Sequence, residues 1–226
     1  MTRLFSQSVN VLRKDLLMDW RSRGRALSVL AFAVTTLLLF SFASGADDPN
    51  PGAMVGAWLW LALLFASTLA LGESFRVETE DGGLEQLRLL PVDPRALFFG
   101  KALGNALLLL VLGALILPLC LALFRAEVAG SWPTLALTLA LGTAGLAGPG
   151  TVYAAMTAQA RGKDVMLPLL LFPLVIPVLV AAVKATTLCV GRDPMDQLPS
   201  WLSLLAIFDL VYWSLCPLLF GRVLEE

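Results

Sequence analysis

Residues 52–124 read GAMVGAWLWLALLFASTLALG (52–72), ESFRVETEDGGLEQLRLLPVDPRAL (73–97) and FFGKALGNALLLLVLGALILPLCLALF (98–124), two apolar runs either side of a charged one. Each apolar run is long enough to cross the hydrocarbon core of a bilayer, which takes about 20 residues in a helix. A helix also satisfies every backbone N–H and C=O within the segment, as lipid demands. The stretch therefore reads as two membrane spans joined by a charged connection on one side of the membrane.

Working outward, the same reading applies to 26–44, 132–158, 165–188 and 201–221. The fold class is all-α integral membrane, with six transmembrane helices. Composition agrees: 58% of residues are hydrophobic and 15% charged, against about a quarter charged in soluble domains. Short connections such as 47–51, 125–131 and 161–164 imply antiparallel neighbours. The net charge of −1 hides an asymmetry. Of the 16 Lys and Arg, only Arg125, Lys184 and Arg192 fall on one side. The others lie in the leader, in the 73–101 region, at Arg161 and Lys163, and at Arg222. The positive-inside rule places both termini and 73–97 in the cytoplasm. The expected division is a leader 1–25, a permease-like domain 26–221 that carries the segment 73–97, and a tail 222–226.

The leader spaces Phe5, Val9, Leu12, Leu16 and Trp20 by three and four residues, which predicts an amphipathic helix whose apolar stripe and basic flank suit membrane lipid. The first span is too long for the apolar region of a cleavable signal peptide and reads as uncleaved. Cys120, Cys189 and Cys216 have no metal or redox spacing and read as small apolar residues. With no His in the chain, His-ligated metal chemistry and His proton relays are excluded. Gly100-Lys101 and Gly162-Lys163 lack the rest of a phosphate-binding loop, so any nucleotide belongs to a partner. Nothing in the charge pattern points to nucleic acid.

Three features carry chemistry. In 73–97, Glu73, Glu78, Glu80 and Asp81 extend the second span, and Gly82-Gly83 stops it. Leu84, Leu87 and Leu90 then form a short apolar face flanked by Glu85, and Pro91 and Pro94 turn the chain back. Between 73 and 95 there are six carboxylates to three Arg. An anionic leaflet repels such a loop, so a protein partner fits it better than headgroups. In 142–179, Gly142, Gly145, Gly148 and Gly150 predict close helix approach. Pro149, and then Pro168, Pro173 and Pro177, are expected to interrupt two adjacent helices, for conformational change or for tight packing. Asp209 is an acidic residue well inside a span and a functional candidate, unless an interface hydrates it. Asn105, Thr138, Thr143, Thr151 and Tyr153 are the other candidates for a polar lining.

Phe75-Arg76 followed by Glu80-Asp81-Gly82, Leu84-Glu85-Gln86-Leu87 and Leu89-Leu90-Pro91 resembles the cytoplasmic signature of the CcmB family. Arg161-Gly162 followed by Leu167-Pro168 and by Pro173 to Pro177 is similar to the same family, as are the length and the six spans. The resemblance implies an ABC-2-type permease subunit, not an enzyme, in the bacterial inner membrane, serving c-type cytochrome biogenesis. It implies a CcmA-like ATPase that binds ATP, CcmC-like and CcmD-like membrane subunits and the haem chaperone CcmE as partners. Haem is then a candidate cargo held by a partner subunit, and no cofactor is bound by this chain. Glu80, Asp81, Gly82, Leu84, Glu85, Leu87, Leu90 and Pro91 would dock on the ATPase. A permease for another cargo and a non-transporting scaffold are the alternatives.

Overall fold

Apolar runs of this length can bury their backbone polar groups only by bonding them internally, and the computed structural model is helical throughout the elements it describes. It describes residues 2–21, 23–44, 51–75, 93–158, 163–191, 193 and 195–225. Among these there are seven helices: α1 (Thr2–Arg21), α2 (Arg23–Ser44), α3 (Pro51–Ser74), α4 (Pro94–Leu123), α5 (Trp132–Thr157), α6 (Lys163–Val190) and α7 (Leu198–Glu225). Helices α2 to α7 are each long and apolar enough to cross a membrane. They match the six expected spans to within a few residues.

Helix α5 is the hub. It packs on α3, α4, α6 and α7, and 72% of its span is buried, against 22% for α2 and 17% for α7. Its glycines make this possible. A Cβ at Gly142 would overlap the Trp60 ring, and one at Gly150 would come within 2.5 Å of Leu71 Cδ1. A Cβ at Gly148 would lie 3.1 Å from Trp213 Nε1. The glycine stripe thus seats large side chains of α3 and α7, and two of them are indoles. Trp60 in turn donates its N–H to Thr186 Oγ1 of α6 at 2.8 Å, deep in the bundle.

The expectation that prolines interrupt two helices is corrected. α5 runs unbroken through Pro149, and α6 through Pro168, Pro173 and Pro177. Each proline removes one backbone donor, but neighbouring helices, Ser/Thr side chains and local adjustments keep such helices intact in lipid. The third span begins before the expected residue 98, at Pro94. Pro94 is the first residue of α4, where its fixed φ and missing N–H suit the helix start. Asp93 caps this start, its Oδ1 accepting from Arg95 N at 2.9 Å, so α4 begins four residues before the apolar run does. At its other end α4 closes with paired bonds from Arg125 N to Ala122 O and Ala126 N to Leu121 O, with Arg125 at φ 48° in the left-handed region.

The two ends of the bundle differ. At one, Gly130 N donates to Cys189 O at 2.9 Å and Ala129 N to Val190 O at 3.4 Å, joining the loop after α4 to the end of α6. At the other, the end of α3, the start of α4, the end of α7 and helix α1 come together. Phe75 and Asp93, which flank residues 76–92, both lie at this second end.

Candidate functional site

The site is built from the two residues at which the charged segment departs, Ser74 and Phe75, and the two at which it returns, Asp93 and Pro94. Phe75 is 1% exposed and packs its ring 6.3 Å from that of Phe220. Phe98, one turn into α4, lies 5.6 Å from Phe220 and 6.3 Å from Trp213. One aromatic cluster is therefore shared by the end of α3, the start of α4 and the end of α7. Aromatic pairs in such offset and tilted geometries contribute about 0.5–1.5 kcal/mol beyond burial.

Lys101 completes this cluster. Its side chain is 3% exposed, and its ammonium lies 3.3 Å from Asp15 Oδ2 of α1. It donates to Ser74 O at 2.9 Å and sits 5.0 Å above the Phe75 ring. An ammonium so far out of water must be paired to persist. The end of α3 is a suitable partner, because terminal helix carbonyls have no intrahelical donor and carry partial negative charge. Asp15 itself is 16% exposed and also pairs with Lys14 at 3.5 Å.

Helix α1 lies against the start of α4 at a close crossing. A Cβ at Gly100 would come within 2.6 Å of Val11 and 3.0 Å of Ser8 O. One turn on, Gly104 faces Leu12 at 3.6 Å. Gln7 Oε1 accepts from Asp93 N at 3.4 Å. The bundle-facing edge of α1 is thus Ser8, Val11, Leu12 and Asp15. Of the expected apolar stripe, Phe5, Val9 and Leu16 point away, at 75%, 43% and 37% exposure, free to meet lipid.

Glu80, Asp81, Gly82, Leu84, Glu85, Leu87, Leu90 and Pro91 all lie outside the described residues. Their two anchor points are described, and the anchors are what the bundle builds. Asp209 lies elsewhere, near the middle of α7. Both its carboxylate oxygens are buried and have no hydrogen-bond partner among the described residues. Asp209 Oδ1 would lie 3.0 Å from a Cβ at Gly145, where Val178 is equally close. Trp213, one turn further, donates to Ala144 O at 3.1 Å. A groove of about 380 Å³ between α5, α6 and α7 is lined by Pro149, Tyr153, Leu174, Tyr212, Leu219 and Arg222, so Pro149 faces a groove wall while Pro168, Pro173 and Pro177 do not line it. The other polar candidates are used within the bundle. Thr138, Thr143 and Thr151 donate to Thr134 O, Leu139 O and Ala147 O, and Asn105 donates to Thr151 Oγ1 at 3.0 Å.

From the sequence, Lys101 read as a positive-inside charge and as an incomplete phosphate-loop lysine, and Asp15 was passed over. The available signals were a lysine four residues inside an apolar run and the Gly100–Gly104 spacing beside it.

The family model described as CcmB protein matches residues 6–226. The chain belongs to the CcmB family. The match takes in α1 from residue 6 onward, both anchors of the charged segment and the segment itself. Similar proteins named heme exporter protein B come from Haemophilus influenzae, 31% identical over 174 residues, covering 77% of this CcmB-family chain and 78% of the relative. The one from Pseudomonas aeruginosa is 30% identical over 200 residues, covering 88% and 89%. That from Escherichia coli K12 is 31% identical over 190 residues, covering 82% and 84%.

Proposed function

We propose that this chain is the permease subunit of an ABC-type haem-export complex in the bacterial inner membrane, and that residues 76–92 dock on a partner ATPase. The relatives' shared name, heme exporter protein B, supports the cargo class. The observation that carries the docking reading is the mounting of the segment. A loop that must deliver force needs rigid flanks, and here Phe75 before it and Phe98, one turn into the helix after it, share one buried cluster with Phe220 and Lys101.

In this reading both termini and the cluster face the cytoplasm, as the Lys and Arg bias favours. Residues 1–25 form an interfacial leader, 26–221 the permease domain and 222–226 a short tail. The acidic residues Glu80, Asp81 and Glu85 meet cationic groups of the ATPase, and Leu84, Leu87 and Leu90 fill an apolar cleft in it. ATP is hydrolysed on that CcmA-like partner, with CcmC-like and CcmD-like subunits and the chaperone CcmE handling haem. A second reading, a subunit that transmits motion without a cargo path of its own, is favoured by one observation. The buried hydroxyls of Thr138, Thr143 and Thr151 each donate to a carbonyl of their own helix, which leaves their donor protons engaged within the bundle.

The test is complementation of a strain lacking this gene with wild type and with Leu84→Asp/Leu87→Asp. The variant is expected to insert at normal levels, lose the co-purifying ATPase and fail to restore covalent haem on c-type cytochromes. Retained co-purification would sink the docking reading. Normal c-type cytochromes without the gene would move the cargo elsewhere.

A further inference from the structure

The groove between α5, α6 and α7 has no part in the docking reading. Its lining carries a single charged residue, Arg222, in the last turn of α7. Arg222 is exposed and has no ion pair or hydrogen bond among the described residues. From Arg222 the groove follows α7 past Leu219 and Leu215 to Tyr212. Those ten residues span about 15 Å of helix, half of a hydrocarbon core about 30 Å thick. A second helix gives the same depth independently. Leu174, where α6 meets the groove, lies eleven residues from the start of α6 at Lys163, about 16 Å along it. Cys216 and Val152 form a buried floor, while Met156, Leu215 and Leu219 are each about half exposed. The groove therefore opens sideways out of the bundle, from one membrane face to the mid-plane.

We propose that this groove is a binding site for one anionic phospholipid, with its phosphate on the Arg222 guanidinium and one acyl chain lying along the groove to Tyr212 and Leu174. Length, polarity and charge agree on this occupant. An acyl chain reaches from its headgroup to the mid-plane, as the groove does, whereas a partner's transmembrane helix would need a seat across the full thickness. The walls are apolar side chains and the rings of Tyr153 and Tyr212, which suit methylene groups. At the mouth, a guanidinium matches a phosphate by donating two parallel N–H bonds. Basic pockets between spans hold acidic headgroups in this way. In the orientation that the Lys and Arg bias favours, the mouth is cytoplasmic, and the cytoplasmic leaflet is the anionic one. Helix α7 is also the least buried span, at 17%, so it has the least protein to hold it in place. A lipid seated here touches α5, α6 and α7 together and ties α7 to the hub helix. The site is separate from the cluster of Phe75 and Lys101 and stands whether or not residues 76–92 dock on an ATPase.

The experiment is photo-crosslinking of the full chain, co-expressed with its native partner subunits, in phosphatidylcholine nanodiscs. These are doped with phosphatidylglycerol that carries a diazirine at the end of one acyl chain, and adducts are mapped by mass spectrometry. Adducts are expected at Tyr212, Leu174 and Tyr153, in the deep half of the groove. Unlabelled phosphatidylglycerol should compete for them, and added phosphatidylcholine should not. Arg222→Gln is expected to cut them about fivefold, the effect of one basic residue at a charged bilayer surface, whereas Arg222→Lys should keep most of them. Leu215→Trp fills the groove but leaves Arg222 in place, so it should abolish the deep adducts and separate the chain site from attraction at the surface. Should it fail to fold, Arg222→Gln, on an exposed residue, still decides. Equal labelling by a phosphatidylcholine probe, or labelling that Arg222→Gln leaves unchanged, overturns the proposal and reports unselective boundary lipid. Absence of groove adducts when the partner subunits are present overturns it too, and means that protein covers the groove.

Discussion

Gly142→Ala adds one methyl group to the hub helix and should destabilise the protein, although alanine is the better helix former. The methyl would overlap the ring of Trp60, which is 1% exposed and cannot swing aside freely because its N–H is bonded to Thr186 Oγ1 at 2.8 Å. Replacing glycine by alanine in a helix interior contributes about 1 kcal/mol of stability. Overpacking a well-filled core costs about 1–3 kcal/mol, and displacing the indole gives up an interhelical hydrogen bond of about 0.6–2 kcal/mol. The balance is a net loss of about 0.6–4 kcal/mol. Gly104→Ala is the control, because among the described residues its methyl meets only Leu12 Cδ1, at 3.6 Å, so the helix term dominates and stability holds or rises. Thermal unfolding of both variants in detergent, followed by size-exclusion recovery, compares them. Adding Trp60→Phe to Gly142→Ala should recover part of the loss by shrinking the ring. If Gly142→Ala is as stable as Gly104→Ala, the close packing of Trp60 on α5 does not limit stability and the reasoning fails.

Two further outcomes follow from named groups. Asp209→Leu should raise stability by about 1–3 kcal/mol in the isolated chain, because it removes a buried polar group with no partner among the described residues; no gain in thermal stability would mean that the carboxylate finds a partner. Asp193 accepts from Gln197 N at 3.0 Å and Leu198 N at 2.8 Å, capping α7, and these backbone donors, Gln197 first and then Leu198, hold its carboxyl below the usual carboxylate range. Its stabilising effect on the helix start is therefore present above the unfolded carboxylate pKa and is lost as pH falls through the lower folded one. Once intrinsic exchange is divided out, protection of the Gln197 and Leu198 amides should decline over that acidic window in wild type, whereas Asp193→Asn should show a pH-flat profile there; parallel profiles would refute the cap.

The six spans were legible because each is a one-dimensional property. A run of apolar residues must be helical in lipid whatever its neighbours are. The glycine stripe was legible for a related reason, since small residues at helical spacing announce a close approach, although only the structure says that Trp60, Leu71 and Trp213 fill it. The start of α4 was missed because Pro94 is ambiguous by itself. It ends one helix or begins another according to whether Asp93 turns its carboxylate onto Arg95 N, and it does. The helix prolines were misread because a missing donor predicts a weakness, not the neighbours that offset it.

Membrane class, span number and the Lys and Arg bias thus follow from sequence alone, because hydropathy and charge act on each segment separately against the same bilayer. The partnership of Lys101 with Asp15, Ser74 and Phe75, the outward turn of Phe5 and Val9, and the placing of the Asp209 carboxylate against Gly145 belong to tertiary structure. Each depends on which faces of separate helices meet, and that choice is made by side-chain packing between residues far apart in the chain.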